Sequence, residues 1–207
     1  MSTKQIKTVK EYTKFELVEK KSVFIGHIFP VSSSSEAEQK IEEIARLNPE
    51  ARHNVYAYVA DGCEKMSDDG EPQGTGGAPV MSVIKLNGLT NVCIVVTRYF
   101  GGILLGAKGL VRAYSSAASG ALNSSEIVSF IPFTDIETDC SYSDYERTNR
   151  LIAEMEGIIL STEFKDLVTV SLSVPSSNSE EFVSRFINLT NGKQTCRVVG
   201  ETLRIKK

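Results

Sequence analysis

The stretch that decides the fold is VCIVVTRY, residues 92–99. Five consecutive apolar residues at its start predict a buried strand, because a strand with one face in water alternates apolar and polar positions. A helix rich in alanine and serine is predicted to follow over residues 110–122, and a shorter helix precedes the strand over residues 78–86. The first half of the chain therefore mixes helices with a sheet.

Upstream of this stretch, the sequence predicts a hairpin, a helix and a further strand. Two strands over residues 12–18 and 22–31 are separated by Lys20-Lys21, which suits a tight turn. Four serines then supply N-cap oxygens for a helix over residues 36–47, and a proline soon after it prevents its continuation. A strand with alternating faces follows over residues 55–60.

The second half has a different order of elements, βαββαβ. This order builds a ferredoxin-like sandwich, in which two helices pack on one face of a four-stranded antiparallel sheet. A linker is expected near residues 123–127, so the chain is predicted to form two domains, 1–126 and 127–207. The predicted strands cover residues 128–140, 158–164, 167–174 and 196–205, and the predicted helices cover residues 142–155 and 179–189.

Composition excludes several classes of protein. The first 126 residues carry fourteen Lys/Arg and fourteen Asp/Glu, and the rest carry nine and twelve, so neither half is a basic nucleic-acid arm. The four cysteines include no CxxC pair, which argues against a zinc knuckle and fits a reducing cytoplasm. Cys93 is expected to be a small buried hydrophobe. With no apolar leader and no long apolar run, we expect a soluble cytoplasmic protein without a membrane partner.

The loop SDDGEPQGTGG, residues 67–77, crowds three carboxylates and four glycines together. Three interpretations stay open. Asp68, Asp69 and Glu71 offer oxygen ligands for a metal, although their spacing is not that of an EF-hand loop. The same carboxylates could instead form a clasp within the chain through charge-assisted hydrogen bonds to arginine, or the ordered loop could dock a partner. The candidate arginines of the clasp are Arg98, Arg112 and Arg52.

The strand over residues 92–99 delivers Arg98 to its carboxyl end and is followed by a glycine-rich turn into a helix. Unpaired N–H groups at a helix N-terminus, with cations nearby, suit an anion. A Walker A loop is excluded, because Ala107 stands where the lysine belongs. Alternatively, the glycines only permit a tight strand-to-helix turn. The turn and the start of the helix contain Gly101, Gly102, Gly106, Lys108, Gly109 and Arg112.

Neither histidine, His27 or His53, lies in a sequence pattern that assigns a catalytic base or a metal ligand. His53 is the more interesting of the two, because it is followed by a strand that leads towards the acidic loop. We therefore assign no catalytic residue, no metal ligand and no cofactor from the sequence.

Three ordered blocks of this chain resemble the IMPACT/YigZ family. They are ARHNVYAY at residues 51–58, SDDGEP at 67–72, and VTRYFGG at 96–102 with RAY at 112–114. The resemblance implies a first domain like the second domain of a small-subunit ribosomal protein, and a tail like the last domain of elongation factor G. It also implies a shared polar face on the first domain. That face consists of His53, Asp68, Asp69, Glu71, Arg98, Tyr99 and Arg112.

The eukaryotic members of the family are translational regulators that act by protein contact, so the resemblance implies a similar role here. We expect a non-enzymatic, translation-associated regulator that binds a protein or a structured RNA, and not DNA specifically. The alternative is an enzyme or sensor for a phosphorylated or anionic small molecule at the glycine-rich turn. The expected binding residues are His53, Asp68, Asp69, Glu71, Arg98, Tyr99, Gly101, Gly102, Lys108 and Arg112.

Overall fold

A computed structural model describes residues 5–205, which divide into two compact units. One unit covers residues 6–129, and the other comprises Gln5 and the residues from Phe130 onward. That the chain folds as independent domains 1–126 and 127–207 stays a prediction. Within the described residues, no helix has both the length and the apolar character that crossing a bilayer requires.

The first unit is built on an antiparallel sheet with the strand order β2-β3-β6-β4-β5. Three helices connect its strands, and a short strand precedes it. The strands are β1 (Ile6–Val9), β2 (Thr13–Glu19), β3 (Ser22–Pro30), β4 (His53–Ala60), β5 (Cys63–Ser67) and β6 (Val92–Tyr99). The helices are α1 (Ser34–Leu47), α2 (Gly77–Leu86) and α3 (Gly106–Asn123).

Strand β6 lies at the centre of this sheet and is covered on both faces. Val92, Ile94 and Val96 belong to a core cluster with α2 and α3, whereas Cys93 and Val95 belong to a second cluster with α1. Residues on a strand alternate between faces, so a strand between two helical layers must be apolar throughout. The prediction of a buried strand is confirmed. Cys93 is also buried as predicted, and desolvation raises the pKa of its thiol to about 12.

The hairpin between β2 and β3 has the tight turn expected at Lys20-Lys21. Both residues adopt positive φ angles, 46° and 64°, as a two-residue turn of type I′ requires. His27 of β3 is buried and lies 3.0 Å, through Nδ1, from the Tyr12 hydroxyl. Desolvation, assisted by Lys14, lowers the pKa of His27 to about 4, so this histidine is neutral near pH 7.

Two strands and one helix boundary differ from the sequence-based expectation. Strand β5, whose sequence is CEKMS, pairs with β4 but is mostly exposed at the edge of the sheet, so it lacks an apolar pattern. Strand β1 has only four residues. Helix α3 begins at Gly106 rather than residue 110, because tertiary packing overrides the poor helix propensity of Gly106 and Gly109.

The second unit has the predicted order βαββαβ, and its strands pair antiparallel in the order β10-β7-β9-β8. The short strand β1 also pairs with β7, so this sheet has five strands rather than the expected four. Its helices share one core cluster with β7 and β9, in which Phe182 and Phe186 of the second helix are fully buried. The α+β class is therefore confirmed. The elements are β7 (Ile127–Cys140), α4 (Tyr142–Glu154), β8 (Ile158–Phe164), β9 (Val168–Pro175), α5 (Ser179–Leu189) and β10 (Cys196–Ile205).

Candidate functional site

The acidic loop and strand β6 meet in a buried ion pair. Glu71 Oε1 lies 2.5 Å from Arg98 Nη1, and the two side chains are only 3% and 7% exposed. The same carboxylate oxygen accepts a hydrogen bond of 2.8 Å from the Tyr114 hydroxyl of α3. The predicted clasp between the carboxylate-bearing loop and an arginine is confirmed at Glu71 and Arg98.

Aromatic rings lie close to the guanidinium of Arg98. Its central carbon lies 5.4 Å from the centre of the Phe24 ring and 5.6 Å from that of Phe100. Cation–π contacts partly compensate a buried guanidinium for its lost hydration. Arg98 Nε is buried and has no hydrogen-bond partner among the described residues. Arg98 is therefore held by one carboxylate and two rings, and one of its donors is left unpaired.

Tyr114 serves as a hydrogen-bond donor to this ion pair. Burial raises the pKa of its phenol far above the ordinary value, and its hydrogen bond to Glu71 raises it further. The phenol therefore keeps its proton near pH 7. This residue cannot act as a base, and its hydroxyl orients the Glu71 carboxylate.

His53 lies beside the ion pair, because it is the register partner of Arg98 across strands β4 and β6. Its Nδ1 is 2.6 Å from the carbonyl oxygen of Asp69, and a carbonyl only accepts, so Nδ1 carries the proton. Its Nε2 is 3.9 Å from Glu71 Oε1. The imidazole is thus oriented by the acidic loop, at the edge of the Glu71–Arg98 pair.

The two aspartates of the loop bind backbone N–H groups. Asp69 Oδ2 accepts from the N–H of Asn54 at 2.6 Å, which attaches the loop to β4. The Asp68 carboxylate accepts from Gly74, Gly76 and Gly77 at 2.8–2.9 Å and so caps the N-terminus of α2. Within residues 5–205, no group of three or more His, Cys, Asp or Glu residues is arranged to hold a metal ion.

Loss of the Asp68 carboxylate should destabilise the first unit by about 1–2 kcal/mol, the upper range for a helix cap. Burial raises its pKa, but the N–H groups of Gly74, Gly77 and Gly76 outweigh burial and hold the pKa below 3.8. Stabilisation by the ionised form is therefore present above pH 3.8 and is lost as the pH falls through the folded-state pKa.

Urea unfolding at several pH values tests this expectation with Asp68→Ala. Glu50→Ala serves as a control, because Glu50 is exposed and makes no side-chain hydrogen bond within the described residues. The Asp68 variant should have a lower free energy of unfolding at pH 7 than the wild type. Its free energy of unfolding should also change less as the pH is lowered. Equal stability losses in the two variants would contradict a capping role.

The remaining predicted residues are not gathered around Arg98. Tyr99 follows Arg98 on β6 and therefore points to the opposite face, where its hydroxyl donates to Asn48 Oδ1 at 2.8 Å. A Cβ on Gly101 would lie 2.0 Å from the carbonyl carbon of Lys21, and Gly102 has a φ of +81°. The backbone of the turn therefore requires both glycines. This supports the alternative that the glycines permit a tight turn between β6 and α3.

Lys108 and Arg112 lie on α3 and are exposed. They line a groove of about 250 Å³ together with Lys20, away from the Glu71–Arg98 pair. Lys108 and Arg112 therefore line a different recess from Arg98, and the expectation that all three bind one partner stays a prediction. Lys108 and Arg112 are four residues apart and therefore lie on the same side of α3. Tyr114 lies on a different side of the helix.

A second cavity, of about 310 Å³, opens above the ion pair. Arg98, Glu71 and His53 contribute to its lining, and most of the other lining residues are apolar. The loop of residues 100–105, here called the apolar loop, contributes Phe100, Leu104 and Leu105 to it. The remaining lining residues are Arg52, Pro72, Gly106, Ala107 and Leu110.

Comparison with known proteins identifies the family. A model of the Impact N-terminal domain matches residues 20–122, and a model of a domain of unknown function, DUF1949, matches residues 138–193. The IMPACT family member YvyE of Bacillus subtilis (strain 168) is 37% identical over 189 residues, covering 90% of this chain and 87% of that protein. The chain belongs to the IMPACT family.

Other relatives and a solved structure agree with this assignment. The IMPACT family member YigZ of Escherichia coli (strain K12) is 31% identical over 178 residues, covering 84% of this chain and 87% of that protein. The Protein IMPACT homolog of Dictyostelium discoideum is 37% identical over 108 residues, which are 49% of this chain and 31% of that protein. A crystal structure of a hypothetical protein matches with a TM-score of 0.62 and 27% identity, covering 96% and 98% of the two chains.

All ten predicted binding residues lie within the segment that matches the Impact N-terminal domain. Sequence reasoning did not assign Tyr114, Phe24 or Leu104 to the site of this IMPACT member. Tyr114 could have been found, because it lies on the apolar side of α3 with Leu110 and its hydroxyl requires a partner when buried. Phe24 and Leu104 carry no polar group, and only the fold brings Phe24 to Arg98 and Leu104 to the cavity.

Proposed function

We propose that this IMPACT-family protein is a non-enzymatic, translation-associated regulator that binds a protein of the translation machinery. The apolar loop and the adjoining cavity form the binding surface. The observation that carries the proposal is the exposure of this loop beside a cavity whose floor is held by a buried ion pair.

Exposed apolar side chains support a protein partner. Leu104 is 82% exposed, Ile103 is 42% exposed and Phe100 is 39% exposed, within one short loop. Scattered exposed leucines are ordinary, but a cluster beside a cavity is typical of a surface that docks a partner. A cavity of this size accommodates one large side chain from that partner.

The engagement of the polar groups supports a non-enzymatic role. Glu71 is bound to Arg98 and Tyr114, and the carboxylates of Asp68 and Asp69 bind backbone N–H groups. These bonds occupy both oxygens of Asp68 and one oxygen each of Glu71 and Asp69, so all three carboxylates hold protein groups in place. These side chains act as a scaffold for the cavity, and this scaffold is what the polar face contributes to the proposed function.

Two fold similarities belong to the same proposal. We propose that the first unit is related to the second domain of a small-subunit ribosomal protein, and the βαββαβ unit to the last domain of elongation factor G. Both relations suit a cytoplasmic protein that works beside the ribosome. Fold alone assigns no function, so they support the proposal without carrying it.

Replacing Leu104 by serine should reduce partner capture by about tenfold, which corresponds to about 1.4 kcal/mol of binding free energy. The full chain is used as bait in extracts of growing cells, and recovered ribosomal proteins and translation factors are quantified. Leu86→Ser is the matched control, because Leu86 is 87% exposed but lies on α2, outside the cavity lining. Equal capture by both variants, or recovery of no translation protein, would refute the proposal.

The alternative function is an enzyme or sensor for an anionic small molecule. Gly106 and Ala107 at the start of α3 line the cavity, and the N-cap residue Leu105 offers no side-chain acceptor to the first N–H groups. Lys108, however, lines the other groove. A higher melting midpoint with phosphate, nucleotides or magnesium would favour this alternative, because a ligand of the folded state must stabilise it.

A further inference from the structure

The groove between β2 and α3 carries an excess of positive charge. Lys20, Lys108 and Arg112 line it, and Glu19 is the carboxylate among its lining residues. All four side chains belong to exposed residues. The groove therefore has a formal charge of about +2, although the whole chain has a formal net charge of −3 at pH 7.

These three cations have no carboxylate partner. Within residues 5–205, neither Lys20, Lys108 nor Arg112 makes an ion pair or a side-chain hydrogen bond, whereas Lys65 pairs with Glu38 at 2.8 Å. Two of them lie in the first turns of α3, where the helix dipole is positive and the first turn holds no acidic residue. The groove is consequently an unneutralised positive surface.

The fold holds the opposite wall of the groove in place. Lys20 occupies a turn with a φ of 46°, and the next residue, Lys21, packs against Gly101 with no room for a Cβ between them. The N–H of Gly101 also donates to the Ser22 hydroxyl at 3.1 Å. The backbone of Lys20 is thereby held opposite α3, so less conformational entropy is lost when a ligand binds.

The groove and the cavity above the ion pair are neighbours. Leu105 lines both of them, and Gly106, Ala107 and Lys108 follow it directly in the chain. An apolar cavity with the apolar loop on its rim therefore adjoins a cationic groove. One short segment of a ligand can reach both.

We propose that this combined surface binds a short acidic peptide segment of the protein partner. A large apolar side chain of the segment enters the cavity, and neighbouring Asp or Glu side chains pair with Lys20, Lys108 and Arg112. This inference rests on the proposed function and names the chemistry of its partner. Charge complementarity and the shared wall at Leu105 carry it.

Nucleic acid fits this surface less well. The lining of the groove contains no aromatic side chain on which a base could stack, since its uncharged side chains are Leu17, Leu105, Ala113 and Ser116. Glu19 would also repel a phosphate backbone that follows the groove. An apolar cavity next to three cations matches an amphipathic peptide better than a uniformly charged strand.

Selection from a random peptide library against the full chain tests the inference. The selected peptides should be enriched in Asp or Glu next to a large apolar residue, and added salt should weaken their binding. Arg112→Glu should weaken the best peptide by about tenfold or more. Arg46→Glu is the matched control, since Arg46 is an exposed cation on α1, which packs against the other face of the sheet, and it should change binding by about twofold at most.

Failure to select any peptide, a selection without acidic enrichment, or equal effects of the two substitutions would overturn the inference. A single-stranded RNA is measured in parallel. If Arg112→Glu abolishes binding of this RNA and no acidic peptides are selected, the groove binds phosphate groups instead. If Leu104→Ser lowers partner capture and Arg112→Glu does not, the proposed function stands and only this inference fails.

Discussion

Replacing Glu71 by alanine is expected to lower the free energy of unfolding of the first unit by about 3–5 kcal/mol, the cost of breaking a buried ion pair. The substitution leaves the guanidinium of Arg98 with no carboxylate, in a residue that is 6% exposed and already has an unpaired Nε. It also leaves the Tyr114 hydroxyl without its acceptor. Desolvated groups that lose their partner cost more than the original pair contributed.

Urea unfolding at pH 7 measures this loss, and Glu126→Ala provides the comparison. Glu126 pairs with Lys10 at 2.9 Å, but both side chains are more than half exposed, so the loss should not exceed about 1 kcal/mol. A double variant, Glu71→Gln with Arg98→Met, should recover part of the stability because no buried charge remains. Similar losses for Glu71→Ala and Glu126→Ala would show that the buried pair does not stabilise the fold.

Replacing Gly101 by alanine is expected to destabilise the first unit by about 3 kcal/mol, the upper range for overpacking. An added Cβ would lie 2.0 Å from the carbonyl carbon of Lys21, 2.1 Å from its oxygen and 2.4 Å from the nitrogen of Ser22. These are backbone atoms of the β2–β3 turn, which cannot move aside as a flexible side chain can. The turn must therefore shift away from the segment that follows β6.

The same substitution at Gly200 provides the control. A Cβ there meets no atom within 4 Å, and the change should stay within about 0.5 kcal/mol. Thermal or urea unfolding measures both variants. Because the turn carries Lys20, the Gly101 variant should also weaken binding of an acidic peptide to the groove. A stability equal to that of the Gly200 variant would contradict the close approach of the two backbones.

The structure assigns different roles to residues that the sequence grouped together. Glu71 and Arg98 form the floor of a cavity, whereas Asp68 and Asp69 hold the loop that presents Glu71. The acidic loop of this IMPACT member thus acts as a scaffold for the cavity. The apolar loop and the cationic groove beside it are exposed, and they form the proposed binding surface.

Much of the fold could be predicted from sequence patterns. The bounds of β6, β8, α5 and β10 agree with the predicted ranges, because apolar runs, periodicity and flanking turn residues determine them locally. Strand β5 could not be predicted in this way. It is held by pairing with β4 at a solvent-exposed edge, so its sequence carries no hydrophobic signal.

The candidate site could be predicted only in part. The sequence offered an ion pair between the acidic loop and an arginine as one of three interpretations, and the burial of Glu71 and Arg98 in the fold decided that these two pair. The positions of Tyr99 and Lys108 could not be obtained in the same way. Tyr99 points to the opposite face of the sheet from Arg98, because successive residues of a strand alternate between faces. Lys108 lies on a side of α3 that lines the other groove.

Sequence alone determined the α+β class, the βαββαβ order and the family resemblance, because these depend on residue type and local spacing. Tertiary structure alone decided which side chains share a cavity and which remain free. That choice depends on how α3 and the β2–β3 turn pack around Gly101 and Arg98. Such contacts join residues far apart in the chain, and local sequence patterns do not encode them.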